Sequence, residues 1–234
     1  MTGTFLNVVA ILAGGMLGLL VGARLSDKLK ETVVAGMGLF TTAVGLKMFL
    51  DTENELIVLG ALLLGAILGE GWGLEDHLRR LGLWLERRFA GGSEDESNRF
   101  VRGFMTASLL YLIGPMAILG AISDGLTGDY KTLAIKSVLD GFASIAFASS
   151  LGIGVLFSAI PTLVYQGGIS LLAAQLSVLI TPSMMGELTA TGGVLLMGVG
   201  VSSLLELKKI RVGNLLPALL IAPLIVYVVE KVVK

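Results

Sequence analysis

The sequence predicts an all-α fold, a polytopic membrane helix bundle of about eight spans. Three observations predict it. The 234 residues are 54% hydrophobic, with a mean hydropathy of +0.87. Only 15% are charged, against about 25% in soluble domains. Apolar runs close to the roughly 20 residues that a bilayer core requires recur along the whole chain.

The expected spans are 5–23, 32–50, 55–71, 101–122, 133–155, 159–180, 188–205 and 212–230. The first begins near Phe5 with no lysine or arginine before it. A signal peptide carries a basic n-region, so this run is expected to be a retained helix. The fourth span holds Gly114-Pro115 in its middle; proline removes a backbone hydrogen bond and frees a carbonyl. In the fifth, Asp140 and its neighbouring glycines allow either a full span or a broken, re-entrant one, which would leave seven crossings. Gly14, Gly18 and Gly22, and likewise Gly65 and Gly69, place small residues on single helix faces. Such faces permit close helix approach, within the chain or between two copies in a homodimer.

The clearly polar stretch lies between the third and fourth spans. From Leu74 to Phe89 it is expected to be helical, with Leu74, Leu78, Leu81 and Leu85 on one face. Glu75–Arg79 and Asp76–Arg80 have the spacing of ion pairs. With Trp72 and Trp84 at hand, this reads as an amphipathic helix on the membrane surface, or as a docking helix for a cytoplasmic protein. Residues 90–98 (AGGSEDESN) read as a flexible acidic loop.

Charge predicts orientation. With eight spans, one face collects Arg24, Lys28, Lys30, arginines 79, 80, 87, 88, 99 and 102, and Lys208, Lys209 and Arg211. The other has Lys47, Lys131, Lys136, Lys231 and Lys234. The richer face is expected to be cytoplasmic, with the N-terminus outside.

An internal repeat is also expected. GLFTTAVGL (38–46) resembles GVLLMGVGV (193–201), pairing Gly38 with Gly193 and Gly45 with Gly200 at one offset of 155 residues. Gly14-Gly15 similarly pairs with Gly167-Gly168. Spans one to three would correspond to six to eight in inverted orientation, as in many transporters. The chain then divides into a first repeat (1–72), a cytoplasmic helix and loop (73–100), a central hairpin (101–158) and a second repeat (159–234).

The candidate ion- or solute-binding residues cluster in that hairpin. Asp140 lies deep in an apolar segment, at a cost of at least about 2.5–3.5 kcal/mol on insertion scales. It reads as a cation- or proton-coupling carboxylate, or as a helix-end acid paired with Lys136 four residues earlier. Ser123 and Asp124 would meet Asp140 across the hairpin, where two facing acids form a proton or cation site; the alternative is an ordinary Ser-Asp-Gly turn. Ser144 shares a helix face with Asp140, and Ser149 follows. Gly114 and Pro115 would offer backbone groups to a solute. Asn7, in the first span, reads as interhelical glue or as a solute ligand.

Several function classes are excluded. A formal net charge of −1 gives no basic field for nucleic acid. There is no cysteine and only one histidine, His77, so thiolate and histidine-rich metal sites are ruled out within one chain. No Walker loop, dinucleotide fingerprint, zinc motif, nucleophile elbow or Gly-x-Gly-Asp signature is present. No catalytic residue and no cofactor is expected. The expected partners are the lipid bilayer, a small ion or solute and a second copy of the chain.

Three segments carry a family resemblance: MTGTFLNVVAILAGGMLGLLVG at the start, GPMAILGAISDGLTGDY in the middle and SVLDGFASIAFASSLGIGVLFSAIP after it. They resemble the YdfK/YqgA-type bacterial membrane proteins, the domain-of-unknown-function 554 family. The resemblance covers nearly the whole chain and implies a bacterial inner-membrane protein of transporter type. It supplies no substrate. The sequence thus points to a small transporter or channel-like permease. The rival is a non-transporting scaffold that docks a cytoplasmic protein on residues 74–89.

Overall fold

The computed structural model describes residues 1–177 and 180–232. It is helical throughout, with no strand among the described residues. The helices are α1 (Thr2–Gly22), α2 (Asp27–Leu50), α3 (Glu55–Trp72), α4 (Leu74–Phe89), α5 (Glu94–Leu112), α6 (Pro115–Thr127) and α7 (Lys131–Leu151). There follow α8 (Gly154–Phe157), α9 (Ala159–Leu171), α10 (Ala173–Ser177), α11 (Pro182–Val199), a π turn (Gly200–Leu204), a 3-10 turn (Val212–Leu215) and α12 (Ala218–Val232). Residues 178 and 179, in the expected sixth span, and Lys234 lie outside the described residues.

The described residues form two compact units. Unit 1 comprises 1–37, 79–112 and 116–178; unit 2 comprises 38–78, 113–115 and 179–234.

In unit 1 the principal contact is between α1 and α7. Lipid is as apolar as leucine, so burial alone does not drive such contacts; close backbone approach does. A Cβ at Gly14, Gly18 or Gly22 would come closer than 3.0 Å to the carbonyl oxygens of Gly141, Ile145 and Ser149, respectively. The two helices therefore run parallel and nearly backbone to backbone. On the other side of α1, Phe5, Val9, Met16 and Leu20 stay exposed, as suits lipid-facing residues.

The bent pair α5–α6 lies along α7 in the opposite direction. Arg99 Nε donates to Ser150 O at 3.1 Å, Gly103 abuts Leu151, Tyr111 meets Ser144, and Gly120 abuts Leu133. The stretch Leu133–Leu151 rises roughly 27 Å at 1.5 Å per residue, close to the hydrocarbon thickness of about 30 Å. The pair thus accompanies α7 over about that length, despite a bend of 63° at the break. The break falls at Gly114-Pro115 because Pro115 has no N–H to donate and fits the first turn of α6, and Gly114 adopts φ +148°. The fifth span, left open as broken, is the uninterrupted helix α7.

In unit 2, α11 packs antiparallel on the C-terminal half of α2. Gly45 lies against Gly193, and Gly38 lies against Gly200. α12 packs antiparallel on α3, with Gly65 against Ala218 and Gly69 against Asn214. Ala61, Ala218 and Ala222 form a small-residue core beside Ile57, Met184 and Val226.

Seven helical segments among the described residues are long and apolar enough to span, or eight if the bent pair α5–α6 is one span. Two local expectations change. The acidic loop is shorter than expected: Ser93 and Glu96 cap one another's backbone N–H, and the acids 94–96 form the favourable first turn of α5. The expected Glu75–Arg79 pair gives way to other partners, because Glu75 Oε2 accepts Gly213 N–H at 2.9 Å.

Candidate functional site

Several buried polar residues of unit 1 converge on α7. Asp140 lies near the middle of this helix and is buried, as is Lys136 one turn before it. Their side chains form an ion pair, so the alternative reading of Asp140 as the partner of Lys136 describes its geometry. Lysine reaches the carboxylate because its aliphatic stem packs in apolar surroundings while its ammonium finds the charge. Asn7 Nδ2, from α1, donates to the same carboxylate oxygen, Oδ2, at 3.0 Å. It also donates to Gln166 Oε1 on α9 at 3.3 Å. Tyr111, from α5, is fully buried; its hydroxyl meets Ser144 Oγ at 2.7 Å and its ring centroid lies 5.7 Å from Lys136 Nζ. Four helices thus supply one polar cluster within otherwise apolar spans.

This cluster is incompletely satisfied. Thr4 Oγ1, Asn7 Oδ1, Thr162 Oγ1 and Gln166 Nε2 are buried and have no hydrogen-bond partner among the described residues. Thr4 and Asn7 share one face of α1 at i,i+3, and Thr162 and Gln166 share one face of α9 at i,i+4. Asn7 and Gln166 join α1 to α9, with Thr4 and Thr162 one turn away on their own helices. Buried polar atoms are normally paired, and an unpaired one costs about 1–3 kcal/mol. Two hydroxyls, an amide oxygen and an amide nitrogen are thus left with hydrogen-bonding capacity to spare.

The other expected site residues have separate surroundings. Asp124, on α6, is buried; Oδ2 accepts Gly3 N–H at 2.9 Å and Oδ1 lies 3.3 Å from the Met1 amino nitrogen. Its carboxyl group thus sits at the positive N-terminal end of α1, a favourable placement for an acid. Its partners lie one turn before Asn7 on α1, and it does not hydrogen-bond to Asp140. Ser123 O accepts the Thr127 hydroxyl within α6. Ser149 Oγ donates to Ala146 O. Gly114 and Pro115 group with unit 2.

Sequence reasoning singled out Asn7, Asp140 and Ser144. It missed Gln166, Thr4, Thr162 and Tyr111, and it read Lys136 both as a charge of the outer face and as the partner of Asp140. Gln166 was the findable one, being an amide inside an apolar run like Asn7.

Unit 2 holds two further polar clasps, and these are well satisfied. Glu187 on α11, 2% exposed, accepts from Thr52 Oγ1 at 2.7 Å, Glu53 N at 2.9 Å and Asn54 N at 3.1 Å. It anchors the α2–α3 turn at the N-terminus of α3. At the opposite end of α3, Asn214 bonds Glu70 and Glu75 N, and Arg211 pairs with Glu70 at 2.6 Å. Burial raises the Glu75 pKa above its usual range, against the lowering effect of its bond from Gly213 and of the Arg211 charge.

Apolar helices of spanning length, packed by glycine faces around a buried polar cluster, define a polytopic α-helical membrane protein. The family model described as "Protein of unknown function (DUF554)" matches residues 2–227, and the chain belongs to that family. It is similar to the uncharacterized protein YqgA of Escherichia coli (strain K12), 34% identical over 221 residues covering 94% of each chain. It is also similar to the uncharacterized membrane protein YdfK of Bacillus subtilis (strain 168), 31% identical over 234 residues, covering 98% of this chain and 97% of the relative. No solved structure matches.

Proposed function

We propose that this protein is a small transporter or channel-like permease for a small ion or solute, without enzymatic activity, in the bacterial inner membrane. The observation that carries the reading is the unit 1 cluster: an ion pair and four unpartnered polar atoms buried among apolar spanning helices. Ionisable groups at such depth are expensive and are characteristic of ion and substrate paths. Asp140 is the binding carboxylate, and Asn7 and Ser144 belong to its surroundings. Asp124 and Ser123 border the start of α1, Ser149 follows on α7, and Gly114-Pro115 breaks the span.

The glycine contacts of unit 2 favour the inverted repeat. Exchanging Gly38 with Gly193 and Gly45 with Gly200 converts the Gly45–Gly193 contact into the Gly200–Gly38 contact, and both occur. Inverted repeats with broken helices and a midplane site are a transporter arrangement. Lys136 lies inside α7, which leaves the outer face still poorer in positive charge and favours an outside N-terminus. A homodimer would have to form on faces other than the Gly14/Gly18/Gly22 and Gly65/Gly69 stripes, which are filled within the chain.

The test is flux into proteoliposomes across a panel of labelled ions and small solutes. Asp140→Asn alone strands Lys136, and breaking a buried pair costs about 3–5 kcal/mol. The double variant Lys136→Met/Asp140→Asn keeps the site neutral and is the decisive one. The expected result is flux in the parent and background flux in both variants, with the double variant still folded. Parent-level flux in the double variant would remove the carboxylate from the mechanism. Absence of flux for every solute would favour the scaffold reading, for which the exposed Trp84 and Phe89 of α4 offer a surface.

A further inference from the structure

The surroundings of Lys136 form a cation cradle. Its ammonium pairs with the Asp140 carboxylate and lies 5.7 Å from the centroid of the Tyr111 ring. Carboxylate and aromatic face together are the elements of ammonium recognition. The acceptor Asn7 Oδ1 beside them is unpartnered, and Lys136 and Asn7 both donate to Asp140 Oδ2, so Oδ1 can take a further donor.

Charge limits what else can enter. Asp140 is the acid of this cluster, and Asp124 is engaged at the start of α1. No group of three or more metal-ligating side chains occurs among the described residues. A divalent ion would face a single carboxylate. A monovalent cation added beside Lys136 would leave a net positive charge in a low-dielectric interior, which is unfavourable. Entry of a cation therefore requires the lysine ammonium to leave.

We propose that Lys136 is a resident, tethered occupant of a site for a monovalent ammonium-type cation, ammonium itself or a primary alkylammonium. The free cation and the Lys136 side chain alternate on Asp140. This rests on the transporter reading and gives it a substrate class. It explains why a buried acid carries a lysine from its own helix: the empty state is kept neutral by a group that can swing away on a flexible stem.

The experiment uses the purified full chain in detergent. Lys136→Ala leaves the carboxylate and ring in place and removes the occupant. Its thermal midpoint is measured against ammonium, methylammonium, sodium and potassium chloride, beside the parent and Lys136→Ala/Asp140→Asn. The expected result is a saturable rise for ammonium and methylammonium, about 5–10 °C at a hundred times the dissociation constant. Sodium should do less, and the double variant should not respond. An equal response to all four salts, or the same response in the double variant, overturns the proposal. So does the absence of any saturable shift in a Lys136→Ala protein that still unfolds cooperatively. Should Lys136→Ala fail to fold, Lys136→Gln, which keeps most of the volume, is tested by the same criteria. Flux separates the two readings. Rescue without flux sustains the cation site and removes transport; flux of another solute without rescue removes the cation site and leaves transport standing.

Discussion

Glu187 and Asp140 are both carboxylates inside apolar helices, yet their surroundings assign them different work. Glu187 accepts three donors from the α2–α3 turn and has no nearby lysine partner among its hydrogen bonds. Its role is to hold that turn. Hydrogen bonds to a charged group contribute about 1.5–3 kcal/mol each, and they are not additive. Glu187→Ala should therefore cost about 2–4 kcal/mol, read as a lowered unfolding midpoint, with Glu187→Gln costing less. A loss under about 0.5 kcal/mol, the usual surface range, would contradict this role. At this scale the sequence shows polar residues that interrupt apolar runs, which is how Asn7 and Asp140 stand out. Thr4 and Thr162 do not stand out, because a helical threonine ordinarily bonds its own backbone carbonyl one turn back. Only their burial without a partner makes their hydroxyls informative. Lys136 had two readings, a charge of the outer face and the partner of Asp140, and the ion pair fits the second.

Among the helices, backbone contact decides the packing. The Gly14/Gly18/Gly22 stripe was legible as a contact face, but sequence left open whether it meets its own chain or a second copy. The structure places Gly141, Ile145 and Ser149 of α7 against it. Gly14→Ala would drive a methyl into a backbone carbonyl that cannot rotate aside, so α1 and α7 must separate. Overpacking of this kind costs about 1–3 kcal/mol, and the same separation would loosen the Asn7–Asp140 bond. Gly36→Ala is the control: nothing lies within 4 Å of its added Cβ, and alanine is the better helix former by about 1 kcal/mol. Gly14→Ala should lower the thermal midpoint and Gly36→Ala should hold or raise it; the reverse order would contradict the packing. The helix break at Gly114-Pro115 was legible for a local reason, the missing proline N–H. The 63° bend that follows from it was not, since the direction of α6 depends on what it packs against. The start of α5 was missed because its acids read as a solvated loop until Ser93 and Glu96 are seen to cap each other.

Across the whole chain, helix directions lead to an expected number of crossings. α1 runs parallel to α7, α2 antiparallel to α11, and α3 antiparallel to α12. Each crossing reverses direction, so these three relations hold together only if one crossing lies between α3 and α7. The bent pair α5–α6, which follows α7 along its length, would supply it. Eight crossings are therefore the expected count. Sequence left seven and eight open because it cannot say whether a broken helix turns back. The chain has no cysteine, so single replacements report directly. Ser26→Cys, Ser93→Cys and Leu207→Cys should share one face, and Glu53→Cys and Asp129→Cys the other. The first face carries most of the arginine and lysine and should be cytoplasmic. An impermeant thiol reagent applied to intact cells should therefore label positions 53 and 129 and spare 26, 93 and 207. Were α5–α6 to turn back, position 129 would be spared with 93, and position 207 would be labelled. That outcome would also reverse the expected sense of the three helix pairs, leaving their glycine contacts without a topology that could form them.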